Sequence, residues 1–193
     1  MGAFDDRSAL IVVDVQNDFA DPQGALHVPG GEAVVAVANA EADAALAAGG
    51  FVAYTQDWHP PTTPHFAKDG GTWPVHCVAG TWGAQLHPDL SVRGPVITKG
   101  SGTQDGYSGF SVRDPRTGAV TPTALEASLP EGIQRLVVTG LATDYCIVET
   151  VLDGRRLGYA VEVVMDAVRP VELQPGDGER AIERMLQAGA TLR

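Results

Sequence analysis

The chain has 193 residues, of which 44% are hydrophobic, and its formal net charge is -11. This length predicts a single domain over residues 1–193 that can bury one core. The negative charge disfavours nucleic acid and anionic membranes as partners, because both repel a negatively charged molecule. We therefore expect no nucleic-acid or membrane partner, but a small molecule or another protein. The sequence leaves open whether the chain is a monomer or a homo-oligomer.

The two cysteines, Cys77 and Cys146, are too few for a disulfide framework. Residues 1–7 contain no apolar signal region, and no apolar run in the sequence approaches the length of a membrane span. We therefore expect a cytoplasmic protein. Reducing conditions there keep both thiols free, so that a cysteine is available for chemistry.

Strand patterns and helix patterns alternate along the chain. In chain order they predict strand 9–14, helix 31–48, strand 51–57, strand 94–99, helix 121–129, strand 134–139, helix 145–157, strand 159–165, helix 177–188 and a last short strand over 190–193. Strands that alternate with helices indicate a parallel sheet with right-handed crossovers and helices on both faces. The predicted fold class is α/β, with three α/β/α layers around a mostly parallel central sheet.

Two reactive side chains stand at the ends of predicted strands. Asp14 closes the continuous apolar run 9–14, and Lys99 closes the short strand 94–99. In open α/β sheets ligands bind at the carboxyl ends of the strands, so we expect both side chains at one functional edge. The plainer interpretations are a cap for Asp14 and a solvated surface cation for Lys99, since lysine is rarely buried.

Cys146 stands where a strand ends and a helix should begin, in the stretch 140–146. Thr143 or Asp144 offers an N-cap oxygen to that helix. Free N–H groups at a helix N-terminus lower the pKa of a thiol by favouring the thiolate, and they can also hold an oxyanion. We therefore predict a nucleophile at Cys146, with Asp14 as the group that takes its proton. The alternative is a buried structural cysteine.

A set of metal-type ligands follows the second predicted strand. Asp57 and His59 lie at i and i+2 and therefore on one side of an extended segment. His65 and His76 follow on a long stretch, residues 58–91, that has no convincing periodicity, and loops of this length are usually functional. One carboxylate and three imidazoles suit zinc, iron or manganese.

Other residues of the same types receive no functional role. Cys77 directly follows His76, but adjacent residues in an extended segment point to opposite faces, and no strand or helix start surrounds Cys77. We interpret Cys77 as structural, because free cysteine prefers burial. His27 and His87 each stand alone next to turn-forming residues, and we assign no function to them.

These motifs together carry a family resemblance. They lie in the stretches 12–19, 57–60, 73–81, 99–100, 107–110 and 140–146. In this combination and order, which span essentially the whole chain, the sequence resembles the nicotinamidase branch of the isochorismatase-like cysteine hydrolases. The resemblance implies the isochorismatase-like (Rossmann-like) hydrolase fold. It also implies hydrolysis of nicotinamide, and of pyrazinamide, to the acid and ammonia, as a step of NAD salvage.

The resemblance further implies a role for individual residues. The catalytic triad is Asp14, Lys99 and Cys146, and Cys146 forms a thioester with the substrate. One divalent transition metal, with zinc as the first choice, is held by Asp57, His59, His65 and His76. The backbone N–H groups of Ala142 and Cys146 form the oxyanion hole, next to a cis peptide bond between Leu141 and Ala142. Three aromatic residues form the walls around the substrate ring: Phe19, Trp73 and Tyr107.

Three other functions are alternatives to this one. Isochorismatases share the fold but do not carry this metal quartet, so His59, His65 and His76 disfavour them. A non-catalytic binding module would be expected to lack a member of the triad, and this chain has all three. Another cysteine amidase of the same family, acting on a different amide or carbamoyl substrate, is the alternative that the sequence leaves open.

Overall fold

The computed structural model describes residues 4–193. Its strands are β1 (Ser8–Val13), β2 (Phe51–Asp57), β3 (Val96–Lys99), β4 (Ser111–Arg113), β5 (Val120–Pro122), β6 (Arg135–Leu141), β7 (Ala160–Arg169) and β8 (Thr191–Leu192). Its α-helices are α1 (Asn17–Ala20), α2 (Glu32–Ala47), α3 (Leu125–Ser128), α4 (Val148–Arg156) and α5 (Asp177–Gln187). A short 3₁₀ turn covers Ala67–Asp69, and a π-helical turn covers Thr143–Ile147.

A six-stranded sheet in the order β3, β2, β1, β6, β7, β8 forms the centre of the described residues. Each neighbouring pair in this sheet is parallel. Strand β1 lies between β2 and β6, so its carboxyl end is flanked by the ends of two other strands. Helices cross between parallel strands and therefore cover the faces of the sheet.

The central strand β1 contributes to a hydrophobic core on each side of the sheet. Leu10 and Val12 belong to a core that includes α2, whereas Ile11 and Val13 belong to a second core that includes α4 and α5. Successive side chains of a strand point to opposite faces, so a strand buried on both faces reads as a continuous apolar run. This explains why the sequence pattern of β1 was easy to recognise.

The predicted helix over residues 121–129 is wrong in its first half. Strand β5 pairs there with β4 in an antiparallel hairpin, and helix α3 spans only Leu125–Ser128. Val120 and Thr121 are β-branched and favour a strand. The hydroxyl of Thr123 accepts a hydrogen bond from the N–H of Leu125, so helical structure begins only after this residue.

Two strands extend further than predicted at their carboxyl ends. Strand β6 continues two residues beyond the predicted end at residue 139, and β7 continues to Arg169 instead of ending at residue 165. Asp166 therefore lies exposed within β7 and not at its end. The predicted last strand is present as the two-residue β8, which pairs with β7.

None of the helices within residues 4–193 combines the length and the apolar character that a membrane crossing needs.

Candidate active site

The parallel sheet brings the three predicted reactive side chains to one edge. Asp14 follows β1, Lys99 ends β3, and Cys146 lies in the π-helical turn after β6. The ammonium nitrogen Nζ of Lys99 lies 2.7 Å from Oδ2 of Asp14 and 3.5 Å from Sγ of Cys146. The three groups therefore form one connected cluster at the carboxyl ends of the strands.

Lys99 is the cation of this cluster and is only 2% exposed. Besides Asp14, it contacts Oδ1 of Asp57 at 2.8 Å, and it donates a hydrogen bond to the carbonyl of Gly106. Burial by itself lowers the pKa of Lys99, but the two carboxylates outweigh burial and hold that pKa well above its usual value. Lys99 is thus a fixed, buried cation and not the solvated surface residue of the plainer interpretation.

Asp14 is completely buried and has a backbone φ of 50°, in the left-handed region that residues other than glycine rarely adopt. Its Oδ1 accepts a hydrogen bond of 2.7 Å from the hydroxyl of Thr55. Burial raises the pKa of Asp14, and the Lys99 ammonium opposes part of that rise. A carboxylate with a raised pKa is a better proton acceptor for a neighbouring thiol than an ordinary aspartate.

Cys146 differs from the prediction in its local setting. It lies within a π-helical turn, and Asp144 does not cap that turn, because its carboxylate accepts hydrogen bonds from the N–H groups of Val171 and Glu172. Burial raises the pKa of the Cys146 thiol well above its ordinary value, and Lys99 opposes this rise only in part. The expected lowering of the thiol pKa is therefore wrong: the structure favours a thiol that is deprotonated by a neighbouring base.

The residues predicted for an oxyanion hole open the same turn. Ala142 follows the last residue of β6 and is 7% exposed. The peptide bond between Leu141 and Ala142 is cis. Ala142 and Cys146 line the same pocket.

Three imidazoles gather next to this cluster. His59, His65 and His76 are all buried, and each offers one ring nitrogen that lies within 4.8 Å of the others. The rings of His59 and His65 stack with their centroids 4.6 Å apart. A backbone bridge closes the loop at this point, since the N–H of His59 donates to the carbonyl of Cys77 at 2.9 Å. His76 directly precedes Cys77, so this hydrogen bond places His76 close to the end of β2.

The outer nitrogen of each ring has an oxygen acceptor. Nδ1 of His59 bonds to the carbonyl of Gly100 at 3.1 Å, and Nδ1 of His76 bonds to the carbonyl of Pro74 at 2.7 Å. Nδ1 of His65 bonds to Oδ1 of Asp105 at 3.2 Å. Because a carbonyl or carboxylate can only accept, each Nδ1 is the donor, and each Nε2 is the ring nitrogen that is left for another partner.

Glycine is required beside one of these rings. Gly100 has a φ of +68°, and a Cβ atom there would lie 2.7 Å from Cε1 of His59. A side chain at this position would therefore displace the imidazole. The carbonyl that fixes the tautomer of His59 can come this close only because residue 100 is glycine.

The donor set fits a divalent transition metal. Nε2 of His59 is buried without a hydrogen-bond partner, although Oδ2 of Asp57 lies 3.3 Å away. Burial lowers the pKa of His76 to about 4, so its imidazole is neutral at neutral pH. Burial alone raises the pKa of Asp57, but Lys99 and His59 outweigh it and hold that pKa well below its usual range. One carboxylate and three imidazoles are ligands that zinc, iron and manganese accept.

An apolar pocket joins the thiol to the imidazoles. The three predicted wall residues, Phe19, Trp73 and Tyr107, all line it. Nε1 of Trp73 donates a hydrogen bond of 2.9 Å to the hydroxyl of Tyr107, so two of the walls hold each other. The structure also places in this pocket three residues to which the sequence analysis assigned no role: Leu26, Tyr145 and Val171.

Two further polar residues were missed. Thr55 bonds to Asp14, and Asp105 bonds to His65. Thr55 carried a signal, because it precedes Asp57 by two residues on a strand and therefore shares its side of the sheet. Asp105 carried none, since it lies in the Gly-rich and Ser-rich stretch 100–109 without a periodic pattern.

The side chains without an assigned role are not among the clustered ligand groups. Cys77 is completely buried in the core beneath α2, and burial raises the pKa of its thiol well above the ordinary value. Its backbone N–H donates to Oδ2 of Asp18 at 2.7 Å. His27 contacts Glu32 at the surface, and His87 is outside the group of clustered imidazoles.

A family model, the isochorismatase domain, matches residues 8–193. The chain belongs to the isochorismatase family. Within the family it is 41% identical to the nicotinamidase of Escherichia coli (strain K12) over 203 residues, which cover 95% of this chain and 93% of the relative. The resemblance found in the sequence motifs is therefore confirmed.

Solved structures show the same fold. The structure of PnC1 from L. infantum in complex with nicotinate matches this isochorismatase-family chain with a TM-score of 0.88 at 33% sequence identity. The match covers 100% of this chain and 96% of the PnC1 chain. The pyrazinamidase of Pyrococcus horikoshii, in complex with zinc, has a TM-score of 0.84 at 36% identity, with coverage of 97% and 98%. The predicted α/β class with a parallel central sheet is confirmed.

Proposed function

We propose that this chain is an amidohydrolase that converts nicotinamide to nicotinate and ammonia, accepts pyrazinamide as well, and serves NAD salvage. One observation carries the proposal: Cys146 lines the same apolar pocket as Asp57, His65 and His76, which lie beside the third clustered histidine, His59. A flat pyridine ring can thus be held at one end of the pocket while its carboxamide meets the thiol at the other. The E. coli relative is named for this activity.

The first step is attack by sulfur on the amide carbon. Asp14 accepts the thiol proton of Cys146, which the raised pKa of its carboxyl favours. Lys99 contacts both partners and stabilises the developing thiolate while it remains paired with the carboxylates. The proton moves in concert with attack, because burial makes a resting thiolate unfavourable.

The tetrahedral intermediate carries a negative oxygen. In this proposal the backbone N–H groups of Ala142 and Cys146 hold it. The intermediate collapses when the C–N bond breaks, and Asp14 returns its proton to the nitrogen, so ammonia leaves. The acyl group stays on Cys146 as a thioester.

Water completes the cycle. Asp14 takes a proton from a water molecule, the resulting hydroxide attacks the thioester carbon, and the C–S bond breaks. Asp14 then returns the proton to the sulfur of Cys146, which restores the resting thiol and releases the carboxylic acid. One water is consumed and one ammonia is formed per turnover.

The ring end of the pocket is assigned to the ligands Asp57, His59, His65 and His76. A divalent metal bound there, for which zinc is our first choice and iron or manganese the alternatives, supplies a positive centre for the ring nitrogen. Asp57 links the metal ligands to the catalytic triad, because its Oδ1 contacts Lys99 while its Oδ2 lies near His59. The walls Phe19, Trp73 and Tyr107 hold the ring by apolar and aromatic contact.

We place this reaction in the cytoplasm. The mechanism needs a free thiol at Cys146, and both cysteines are free in the structure. A reducing compartment maintains that state.

The deciding experiment is ammonia release by the purified chain with nicotinamide, pyrazinamide and an aliphatic carbamoyl compound, each with and without a chelator. We expect both aromatic amides to be hydrolysed and the chelator to abolish the reaction. Faster turnover of the aliphatic carbamoyl compound would instead identify a different cysteine amidase of the family. Full activity in a verified metal-free sample would remove the metal from the proposal.

A further inference from the structure

The three clustered histidines differ in what holds their outer nitrogens. His59 and His76 bond through Nδ1 to backbone carbonyls, whereas His65 bonds to the side chain of Asp105. Only the His65 contact can therefore be removed by replacing a side chain. It is also the only one of the three contacts in which the acceptor is a carboxylate and not a backbone carbonyl.

The backbone fixes Asp105 in place. Its N–H donates to the carbonyl of Arg113 at 2.7 Å, and the N–H of Arg113 donates back to the carbonyl of Asp105 at 3.0 Å. This pair joins the loop to the β4–β5 hairpin, since Arg113 ends β4. The next residue, Gly106, accepts a hydrogen bond from Lys99. The carboxylate of Asp105 is therefore presented to His65 by a loop that is held on both sides.

We propose that Asp105 is a positioning residue that orients His65 as a metal ligand through the Oδ1 to Nδ1 hydrogen bond. This inference rests on the proposed function, which assigns the histidine cluster to a metal. A carboxylate behind an imidazole fixes the tautomer, limits rotation of the ring and makes the free nitrogen more basic. Loss of such an outer partner typically weakens metal binding by about 10–100-fold.

The environment of Asp105 makes the inference testable. The side chain of Asp105 is 26% exposed, whereas that of His65 is 4% exposed. Truncation of Asp105 therefore removes a side chain that is partly exposed to solvent, and the backbone pair with Arg113 does not involve the side chain. A loss of metal affinity in such a variant reports on the hydrogen bond and not on unfolding.

The first test is zinc affinity, measured on the metal-stripped full chain by competition with a chromophoric chelator. We expect Asp105→Ala to bind zinc about 10–100-fold more weakly than the wild-type chain. Asp105→Asn should fall between the two, because an amide oxygen still accepts from Nδ1 but carries no charge. Two controls should keep wild-type affinity: Gln104→Ala in the same loop, and Asp166→Ala, which removes one exposed carboxylate from β7. Wild-type affinity in Asp105→Ala overturns the inference.

The second test asks whether Asp105 acts through His65. Contacting residues that work as a unit give non-additive effects in a double-mutant cycle. We therefore expect the double variant His65→Ala with Asp105→Ala to bind zinc no more weakly than His65→Ala alone. A further loss of 10-fold or more in the double variant, which approximates the sum of the single effects, would show that Asp105 acts elsewhere and would overturn the inference.

Failure of the inference and failure of the proposed function have different signatures. A wild-type chain that binds no zinc, manganese or iron overturns both. A wild-type chain that binds zinc but releases no ammonia from nicotinamide overturns the proposed function alone. In that case the zinc affinities of the Asp105 variants still decide whether the residue positions His65.

Discussion

The two halves of the candidate active site are built in different ways. Asp14, Lys99 and Cys146 come from the ends of strands, and the register of the parallel sheet determines their distances. The clustered histidines come from a loop that follows β2, and hydrogen bonds from each Nδ1 determine their orientation. The first half therefore depends on the pairing of the strands, and the second depends on individual hydrogen bonds, two of which join residues 41 and 40 positions apart in the chain.

The electrostatics of the two halves also differ. The strand-borne half, formed by Asp14, Lys99 and Cys146, buries the Lys99 ammonium between two carboxylates, and these carboxylates hold the pKa of Lys99 well above its usual value. The loop-borne half consists of imidazoles, of which His76 has its pKa lowered to about 4 by burial. Buried opposite charges suit proton transfer, whereas neutral imidazoles suit metal binding. Only Asp57 belongs to both halves, through its two oxygens.

The largest expected effect is a loss of activity without a loss of metal. Cys146→Ala should lower the rate of ammonia release from nicotinamide by about 10⁴-fold or more, the scale seen when a nucleophile is deleted from a catalytic unit. Metal content should stay unchanged, because Cys146 contacts none of the three histidines through the hydrogen bonds described. Rate and metal content are measured on the same samples, with Cys77→Ala as the matched control. Alkylation of Cys77 before Cys146, seen by intact mass, would contradict the assignment.

Lys99→Met should damage the strand-borne half by a different route. The substitution keeps most of the length of the side chain but leaves Asp14 and Asp57 buried without their cation. We expect the rate to fall by about 10²–10³-fold, the range for removal of one preorganised charge-stabilising group. Breaking a buried pair by removing one partner typically costs about 3–5 kcal/mol, so the free energy of unfolding should fall as well. Denaturant unfolding checks this, and an unchanged midpoint would argue against a compensated buried cation.

Substitutions in the loop-borne half, formed by His59, His65 and His76, should lower metal affinity first and activity as a consequence. His59→Ala and His76→Ala each remove a proposed ligand, so metal affinity should fall by more than the roughly 10–100-fold that loss of an outer partner costs. Activity should decline in parallel with metal content, while the rate of Cys146 alkylation stays near that of the wild-type chain. Metal analysis and alkylation rate measure the two halves separately. Activity that persists after metal is lost would show that the halves do not cooperate.

The smallest expected effect is on the walls of the pocket. Trp73→Ala removes both the hydrogen bond to Tyr107 and the edge contact with Tyr145, whose ring centroid lies 4.6 Å away. An aromatic contact is worth about 0.5–1.5 kcal/mol beyond buried area, so we expect kcat/KM for nicotinamide to fall by at least about 2–10-fold. Bound metal should stay in place. Trp73→Phe, which keeps a ring, should lie closer to the wild type.

The parts of the fold that the sequence predicted well are buried on both faces. Strand β1 reads as a continuous apolar run and β2 begins with one, and the ends of β2 agree with the prediction at both residues. The β4–β5 hairpin was missed because its strands are three residues each and largely exposed, so they have no hydrophobic pattern. Short exposed strands are specified by their partners and not by their own composition.

The same distinction applies to the site. Asp14 and Lys99 could be placed because each terminates an apolar run, and a parallel sheet collects such ends at one edge. Asp105 could not, because its role consists of a hydrogen bond to a residue 40 positions away in the chain. Contacts of that kind leave no periodic signal in the sequence.

The sequence by itself determined which reactive groups the chain carries and that the strand ends bring them together. The tertiary structure alone decided their ionisation. A helix N-terminus predicts a lowered pKa for Cys146, yet burial raises it, because the favourable effect of a helix end is modest and local whereas desolvation of a charge is large. Burial depends on every element packed around the thiol, and no window of sequence around Cys146 contains that information.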